Sequence, residues 1–427
     1  MNGKNPREIA IRVLRQRAGS GEYVEKLLEN ELAGCALSPP DRALCQELTY
    51  GIVRRQTTLD WLVARKTGDR PQNAGLRLLL HLGLYQLFWL QRIPNHAAVH
   101  ETVELGKRLG FGAQAGFLNA VLRGYTRERE ATALQLENLK QTDPAVGYSH
   151  PAWLVERWKE RWGATETTRL LDWNNTPPPL FARLNLLKAD FATLAAAWQS
   201  EGVEFEEQHW DWTGQNTMFK LKSHPPLPQC ISFQRGFFYA QDPSTLLAVA
   251  ELDPQPGEHI LDLCAAPGGK TACIAQRMQN RGRIEARDIQ PERLKLVREN
   301  CDRLGVTCVE FADPRQSPSF DRILVDAPCS NTGVMRRRVD LRWRIKAGEI
   351  ERLREEQLAL LEEAAGHLKA GGILVYSTCS LETEENEYVT RDFLEGNANF
   401  KLERQRQLLP FTEGVDGAYV ARMRKSN

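Results

Sequence analysis

Two cysteines and one aspartate stand where a folded chain can do covalent chemistry. Asp326 closes the apolar run Phe320–Asp326, and Ala327-Pro328-Cys329-Ser330 follows at once. A second apolar run, residues 372–377, is followed by Thr378-Cys379-Ser380. Both runs read as sheet strands. The thiols and the carboxylate then sit just past strand carboxyl ends, where open α/β sheets bind their ligands. One buried cysteine is usually an inert packing residue. Two in matching loops, beside a cofactor loop, argue for chemistry. A redox pair is the weaker reading, because the two are 50 residues apart and lack CxxC spacing.

Two thiols and an acid suit methylation of carbon 5 of cytosine. That carbon will not attack a methyl donor unaided. A thiolate adding at carbon 6 makes the ring enamine-like and carbon 5 nucleophilic, and protonation at N3 offsets the developing charge. After methylation the carbon 5 proton must leave so that the thiolate is expelled. One thiol is the nucleophile, the acid serves N3, and the second thiol assists elimination. The base has to be unstacked to reach such a pocket.

A cofactor loop precedes these elements. The strand-like residues 258–264 run into Ala265-Ala266-Pro267-Gly268-Gly269-Lys270-Thr271, and a helix is expected from about Lys270. Small residues there let a ligand approach the backbone. Only the tail of the triphosphate pattern GxxxxGK[ST] is present, with no glycine at its first position, so a nucleoside triphosphate is disfavoured. The next strand candidate, residues 282–289, carries Asp288, placed to accept hydrogen bonds from ribose hydroxyls. A third, residues 307–311, is followed by Asp313, which could reach an adenine amino group. Each acid alone could be a helix cap; together with the loop they describe an adenosine-containing cofactor. A nicotinamide dinucleotide stays possible, although GxGxxG is missing.

The whole chain must position these groups. Its 427 residues exceed one ordinary core, and at roughly 150 per domain imply two to three. With 42% hydrophobic and 26% charged residues it is globular, not disordered. There is no signal-like h-region and no apolar run of about 18 residues, so neither secretion nor a membrane span is expected. Nine scattered cysteines fit a reducing cytoplasm, and no metal site is expected because close thiolate and imidazole pairs are missing.

Residues 1–140 read as all-helical, with helix runs expected at 59–65, 73–90, 95–109 and 114–125. Ser38-Pro39-Pro40-Asp41 is a helix start. This part holds 20 Lys and Arg against 14 Asp and Glu, while the rest holds 36 against 41, so the overall charge of +1 hides an asymmetry. Arg54 and Arg55 belong to a basic helical surface that could track a phosphate backbone; a solvated helical face is the plainer reading. Residues 141–235 read as a linker helix and a small α+β subdomain, and residues 236–427 as alternating strands and helices, the pattern of a parallel sheet covered by helices.

Three strings then carry a resemblance. LDLCAAPGGKT (261–271), DRILVDAPCSNTG (321–333) and LVYSTCSLETEEN (374–386) resemble the RNA 5-methylcytosine methyltransferase family. The first is shared in weaker form by many methyltransferases; the APCS and STCS pair is far more specific. The resemblance implies Cys379 as the nucleophile, Cys329 as the thiol needed for product release and Asp326 as the carboxylate at the base. It implies S-adenosylmethionine as cofactor, held by Cys264, Ala265, Ala266, Pro267, Gly268, Gly269, Lys270, Asp288, Arg293, Asp313 and Asp326. Arg183 and Asn185 match the strand that opens the family's small RNA-recognition subdomain, and Arg336, Arg337, Arg338 and Arg342 offer guanidinium groups to phosphates.

LTYGIVRRQTTLD (48–60), residues 79–107 and FLNAVLR (117–123) resemble the helical domain of bacterial antitermination factor B. Such a NusB-like domain fused to a 5-methylcytosine methyltransferase is typical of the bacterial enzymes that modify one cytosine of 16S ribosomal RNA. The implied architecture is multidomain: an all-α NusB-like domain, an α+β RNA-recognition subdomain, and an α/β Rossmann-like class I methyltransferase domain. The implied partner is 16S ribosomal RNA, free or in a 30S assembly intermediate, bound by a cytoplasmic monomer. Alternatives are the same reaction on transfer RNA, or a non-catalytic RNA-binding factor.

Three positions depart from the family's pattern. Val339 replaces a frequent proline, so its loop is expected to be less rigid. Arg287 precedes Asp288 where small or apolar residues are common, which is expected to alter cofactor affinity. Ala418 replaces an aromatic in the closing Asp416-Gly417-Ala418-Tyr419.

Overall fold

The computed structural model describes residues 5–68, 70–311 and 319–427. It divides into two compact units. One comprises Met1–Thr176 with Met335–Arg344, the other Pro177–Val334 with Ile345–Asn427.

The first unit is helical. Asn5 caps the helix Pro6–Gly19 by accepting from Arg7 N at 2.9 Å. Ser38 caps Pro39–Arg54 by accepting from Asp41 N at 3.3 Å, as its turn-and-acid spelling predicts. The expected runs appear as Gln56–Thr67, Ala74–Trp89, Asn95–Arg108 and Ala115–Arg127. Ala74–Trp89 buries Leu79, Leu80, Leu82, Leu84 and Leu87 and forms the centre of the unit, as a helix apolar on every side must. Gly51 lets it approach, since a Cβ there would lie 2.0 Å from the Tyr85 ring. Packing continues past residue 140: the helix Ala152–Asn174, kinked at Gly163, belongs to this unit, so its boundary falls at Thr176.

Met335–Arg344 is the unexpected member of the helical unit, and it corrects one expectation. Val339 is 1% exposed and packs in the helical core. Arg342 is fully buried and donates to the carbonyls of Arg54 (3.3 Å), Ser149 (3.2 Å) and Asn174 (2.9 Å) and to Asn175 Oδ1 (3.0 Å). Its guanidinium therefore satisfies helix-end carbonyls, where a cation is favoured, and does not face a phosphate. Asp340, also buried, accepts from Arg17 Nε (2.6 Å), Arg344 Nε (2.9 Å) and Val24 N (3.1 Å).

The second unit holds two sheets. The smaller is antiparallel, in the order β2-β3-β1-β4, from β1 (Leu180–Leu184), β2 (Glu204–Gln208), β3 (Met218–Ser223) and β4 (Phe238–Ala240). The helix Phe191–Glu201 closes it through Trp198, whose ring lies 4.8 Å from Phe205 and 5.4 Å from both Phe219 and Phe238.

The larger sheet is formed by β5 (His259–Asp262), β6 (Arg283–Ala286), β7 (Val309–Glu310), β8 (Phe320–Asp326), β9 (Leu368–Thr378), β10 (Phe400–Leu408) and β11 (Ala418–Lys425). Its order is β10-β11-β9-β8-β5-β6-β7. From β9 to β7 all pairs are parallel, whereas β11 is antiparallel to both β9 and β10. The sheet is therefore mixed, not wholly parallel. Nine residues link β10 to β11, too few for the crossover of about a dozen that a parallel neighbour needs. The chain runs outward from β5 to β7 and returns at β8 on β5's other side. That reversal opens a crevice at the carboxyl ends of β5 and β8.

Candidate active site

The loop after β5 lies at that crevice. Gly268, with φ +100°, occupies the left-handed region that admits glycine, and it starts the helix Gly269–Arg277. Ala265 N donates to Arg287 O (2.8 Å) and Gly268 N to Ala265 O (2.7 Å). Asp288, just past β6, accepts from Ala266 N at 3.1 Å, and Arg293 bridges it (3.3 Å) to Ala266 O (3.2 Å). Cys264 through Lys270, Asp288 and Arg293 are thus gathered at one place. Asp313 lies outside the described residues. Sequence reasoning missed Asn300, whose Nδ2 holds Pro267 O at 2.9 Å. Arg287 pairs its side chain with Glu285 at 2.6 Å, and its backbone carbonyl accepts from Ala265 N of the loop.

Asp262, at the end of β5, was also not singled out. It is 1% exposed, and burial pushes its carboxyl up to about 7, against a 2.7 Å hydrogen bond from Thr271 Oγ1. The folded protein then keeps a proton that the unfolded chain, with a carboxyl near 3.9, has released. Stability therefore falls as pH rises from about 4 towards 7 and levels off above. Asp262→Asn keeps an acceptor for Thr271 and removes this titration. Its stability relative to wild type should grow across the window, by at most about 1.4 kcal/mol per pH unit. Denaturant unfolding of the cofactor-free protein near pH 5 and near pH 8 checks this. An equal difference at both pH values would contradict it.

Asp326 closes β8 and binds Lys270 Nζ at 2.6 Å and Ser377 Oγ at 2.7 Å. Burial opposes the Lys270 ammonium, but Asp326 more than compensates, and the lysine is held above its ordinary value. β8 and β9 are parallel with Asp326 opposite Ser377, so the loops after them emerge side by side. This register brings Cys329 Sγ to 3.4 Å from Cys379 Sγ. Cys379 Sγ also donates to Asn331 Oδ1 at 3.1 Å. Gly333 N donates to Cys379 O (2.9 Å), and a Cβ at Gly333 would come within 2.7 Å of that oxygen, so only glycine lets the loops meet. Cys329 is buried, while Cys379 is partly open to solvent. The contact with Cys379, then burial, raises the Cys329 thiol well above its usual range and keeps it protonated. The arrangement offers one accessible sulfur, one protonated thiol beside it, and an ion-paired carboxylate on the neighbouring strand.

The arginine candidates separate by burial. Arg183 and Asn185 are each 3% exposed. Arg183 donates to Gln241 Oε1 (2.5 Å) and Gly269 O (3.0 Å), and Asn185 to Gly236 O and Leu304 O, both at 2.8 Å. They tether the small sheet to the cofactor loop and its neighbours instead of facing a nucleic acid. Arg54 and Arg336 are buried in the helical unit, the latter 3.7 Å from the Trp173 ring centre. These four, with Arg342, are buried within the fold, against their expectation as candidate RNA-binding residues. Arg338 is exposed, Arg337 is half-buried, and Arg55 lies partly exposed over Trp89.

Comparison with known proteins fits this architecture. Residues 4–127 match the NusB family, 150–214 the ferredoxin-like domain of RsmF/B-like methyltransferases, and 249–424 the family described as 16S rRNA methyltransferase RsmB/F. A probable ribosomal RNA small subunit methyltransferase B of Bacillus subtilis is 35% identical, with 100% of each chain covered. The ribosomal RNA small subunit methyltransferase B of Vibrio cholerae is 36% identical over 99% of this chain and 98% of its own. The crystal structure of a methyltransferase homolog protein from Pyrococcus horikoshii is 31% identical. It covers 66% of this chain and 98% of its own, with a TM-score of 0.58.

Proposed function

The chain belongs to the 16S rRNA methyltransferase RsmB/F family, and from that premise we propose that it methylates carbon 5 of one cytosine of 16S ribosomal RNA through a covalent bond from Cys379 to carbon 6. The observation that carries this reading is the pair of sulfurs 3.4 Å apart, at the carboxyl ends of adjacent strands, beside Asp326.

The residues present fit S-adenosylmethionine. A loop of small residues ending in the left-handed Gly268 admits a close ligand, and the Asp288 carboxylate, across from Ala266, is an acceptor suited to ribose hydroxyls. Cys264–Lys270, Asp288 and Arg293 would hold the cofactor. When bound, it supplies an activated methyl sulfonium.

The protein's own groups then act on an unstacked cytosine. Cys379 gives up its thiol proton to solvent and its Sγ forms the bond to carbon 6, while the ring's electron pair moves toward carbon 5. Asp326 receives the base at N3, and the proton needed there is held on Lys270 Nζ, 2.6 Å from the carboxylate. Once carbon 5 carries the new methyl, its proton is released to solvent at the partly open Cys379 side, N3 returns its proton toward Asp326 and Lys270, the double bond re-forms and the Sγ–C6 bond breaks. Cys329, protonated and adjacent, donates to the departing sulfur. With this substrate goes a cytoplasmic location, where thiols stay reduced.

The test incubates the enzyme and methyl-labelled S-adenosylmethionine with 16S ribosomal RNA lacking modifications, with 30S subunits and with transfer RNA. Label in 5-methylcytidine at one 16S position is expected. Label only in transfer RNA, or in another nucleoside, overturns the reading.

A further inference from the structure

Glu385 is fully buried and lies between the two cysteine loops, yet it takes no part in the chemistry above. It sits in the short turn Thr383–Glu385 that follows β9. One carboxylate oxygen accepts from Ser330 N at 2.7 Å and from Gln357 Nε2 at 3.1 Å. The other accepts from Ser380 Oγ at 2.5 Å and from Ser330 Oγ. Ser330 follows Cys329, and Ser380 follows Cys379.

Further bonds remove the remaining freedom. Gln357, on the helix Ala347–His367, also donates to Pro328 O at 2.8 Å, so Cys329 is fixed on both sides. Thr378 Oγ1 donates to Asn386 Oδ1 (2.6 Å) and accepts from Ser380 N (3.2 Å), and Asn386 Nδ2 donates to Ser380 O (3.0 Å). The turn itself is anchored from below by Tyr376 OH on Glu385 O at 2.5 Å. A buried carboxylate is costly unless its lone pairs are filled. Here all four donors come from segments that carry or brace the thiols.

We propose that Glu385 is a positioning residue: its one carboxylate sets the separation of the two active-site sulfurs by holding the residues that follow both cysteines. The proposal rests on the covalent reading of Cys379 given above. Its physical content is reach. Aspartate keeps the charge but is one methylene shorter and cannot hold both loops, whereas glutamine keeps the length and can still accept from Ser330 N and Gln357. The serine hydroxyls can turn to accept from its amide.

The experiment compares Glu385→Asp, Glu385→Gln and wild type in two readouts. The first is kcat and KM for methyl transfer to RNA. The second, made without RNA or cofactor, is the rate at which iodoacetamide alkylates Cys379, mapped by mass spectrometry. Glu385→Asp is expected to lose about 100-fold in kcat, the scale of an ångström-sized misplacement, with KM unchanged. Its alkylation rate should depart from wild type, and Glu385→Gln should lie nearer wild type in both readouts. A folded Glu385→Asp enzyme with wild-type kcat and alkylation overturns the proposal, as does a loss carried by KM alone. If that variant does not fold, Ser330→Ala and Ser380→Ala each remove one hydroxyl from the carboxylate. Wild-type behaviour of both overturns the proposal, and lowered kcat with altered alkylation supports it. Should wild type methylate no RNA at all, the covalent reading falls, while the alkylation comparison still decides the role of Glu385.

Discussion

Cys379→Ala protein is expected to fold, bind S-adenosylmethionine with wild-type affinity, and methylate RNA at least about 10^4-fold more slowly than wild type, the scale of removing an enzyme's nucleophile. The reason is specific to the substrate. Carbon 5 of cytosine gains nucleophilic character only when carbon 6 has been attacked. Cys379 is partly exposed and follows the strand that pairs with the carboxylate strand; Cys264, also partly exposed, follows the strand on the other side of β8, but burial pushes its thiol far up and away from the thiolate. Cys329 stands 3.4 Å away but is buried and held protonated, so it is a poor substitute. The cofactor loop is held by Asp288, Arg293, Arg287, Asn300 and Arg183, whereas Cys379 bonds to Cys329, Asn331 and Gly333, which is why binding should survive. Equilibrium binding and single-turnover transfer, measured on one preparation, separate the two effects. A variant that methylates at the normal rate would show that the bond to carbon 6 comes from elsewhere, or that no such bond forms.

That Asp326, Cys329 and Cys379 come together was legible because the signal is local. Each group follows an apolar strand within a few residues, and parallel strands deliver such loops to one edge. The same held for Ser38 and for the helices flanking Gly51. What the sequence could not show was partnership. A guanidinium reads the same whether it faces water or a helix end, so Arg342, Arg183 and Asn185 passed as RNA contacts although carbonyls and a side-chain oxygen occupy them. Glu385 and Asn331 have ordinary neighbours in the chain and acquire meaning from contacts that reach residues about 50 positions away. Asp262 reads only as part of the strand-like run 258–264, which says nothing of the titration that burial imposes. Strand direction was likewise invisible: β11 has the composition of a core strand, and only the short link from β10 betrays its reversal.

Cys329→Ala is expected to fail at the opposite end of the reaction. Addition of Cys379 to carbon 6 needs nothing from Cys329, so the adduct should form and accept its methyl group. Departure is different. The Sγ–C6 bond breaks toward a thiolate, and the group beside that sulfur is the Cys329 thiol at 3.4 Å. Because contact with Cys379 and burial both keep Cys329 protonated, it suits hydrogen-bond donation to the leaving sulfur better than proton abstraction from carbon 5. Alanine removes that donor and leaves the departing thiolate without its neighbouring hydrogen bond. Turnover should then stop after about one cycle, with protein and methylated RNA covalently joined and visible on a denaturing gel. Cys329→Ser, which keeps a hydroxyl donor of weaker acidity, should release product slowly and show a smaller adduct band. The double variant Cys329→Ala, Cys379→Ala should show none, which ties the bond to Cys379. The label distinguishes two ways of stalling. An adduct that carries the transferred methyl places Cys329 after methylation, whereas an unmethylated adduct would mean that it acts before methyl transfer. Repeated turnover by Cys329→Ala without any adduct would remove it from the mechanism, leaving the 3.4 Å contact as packing alone.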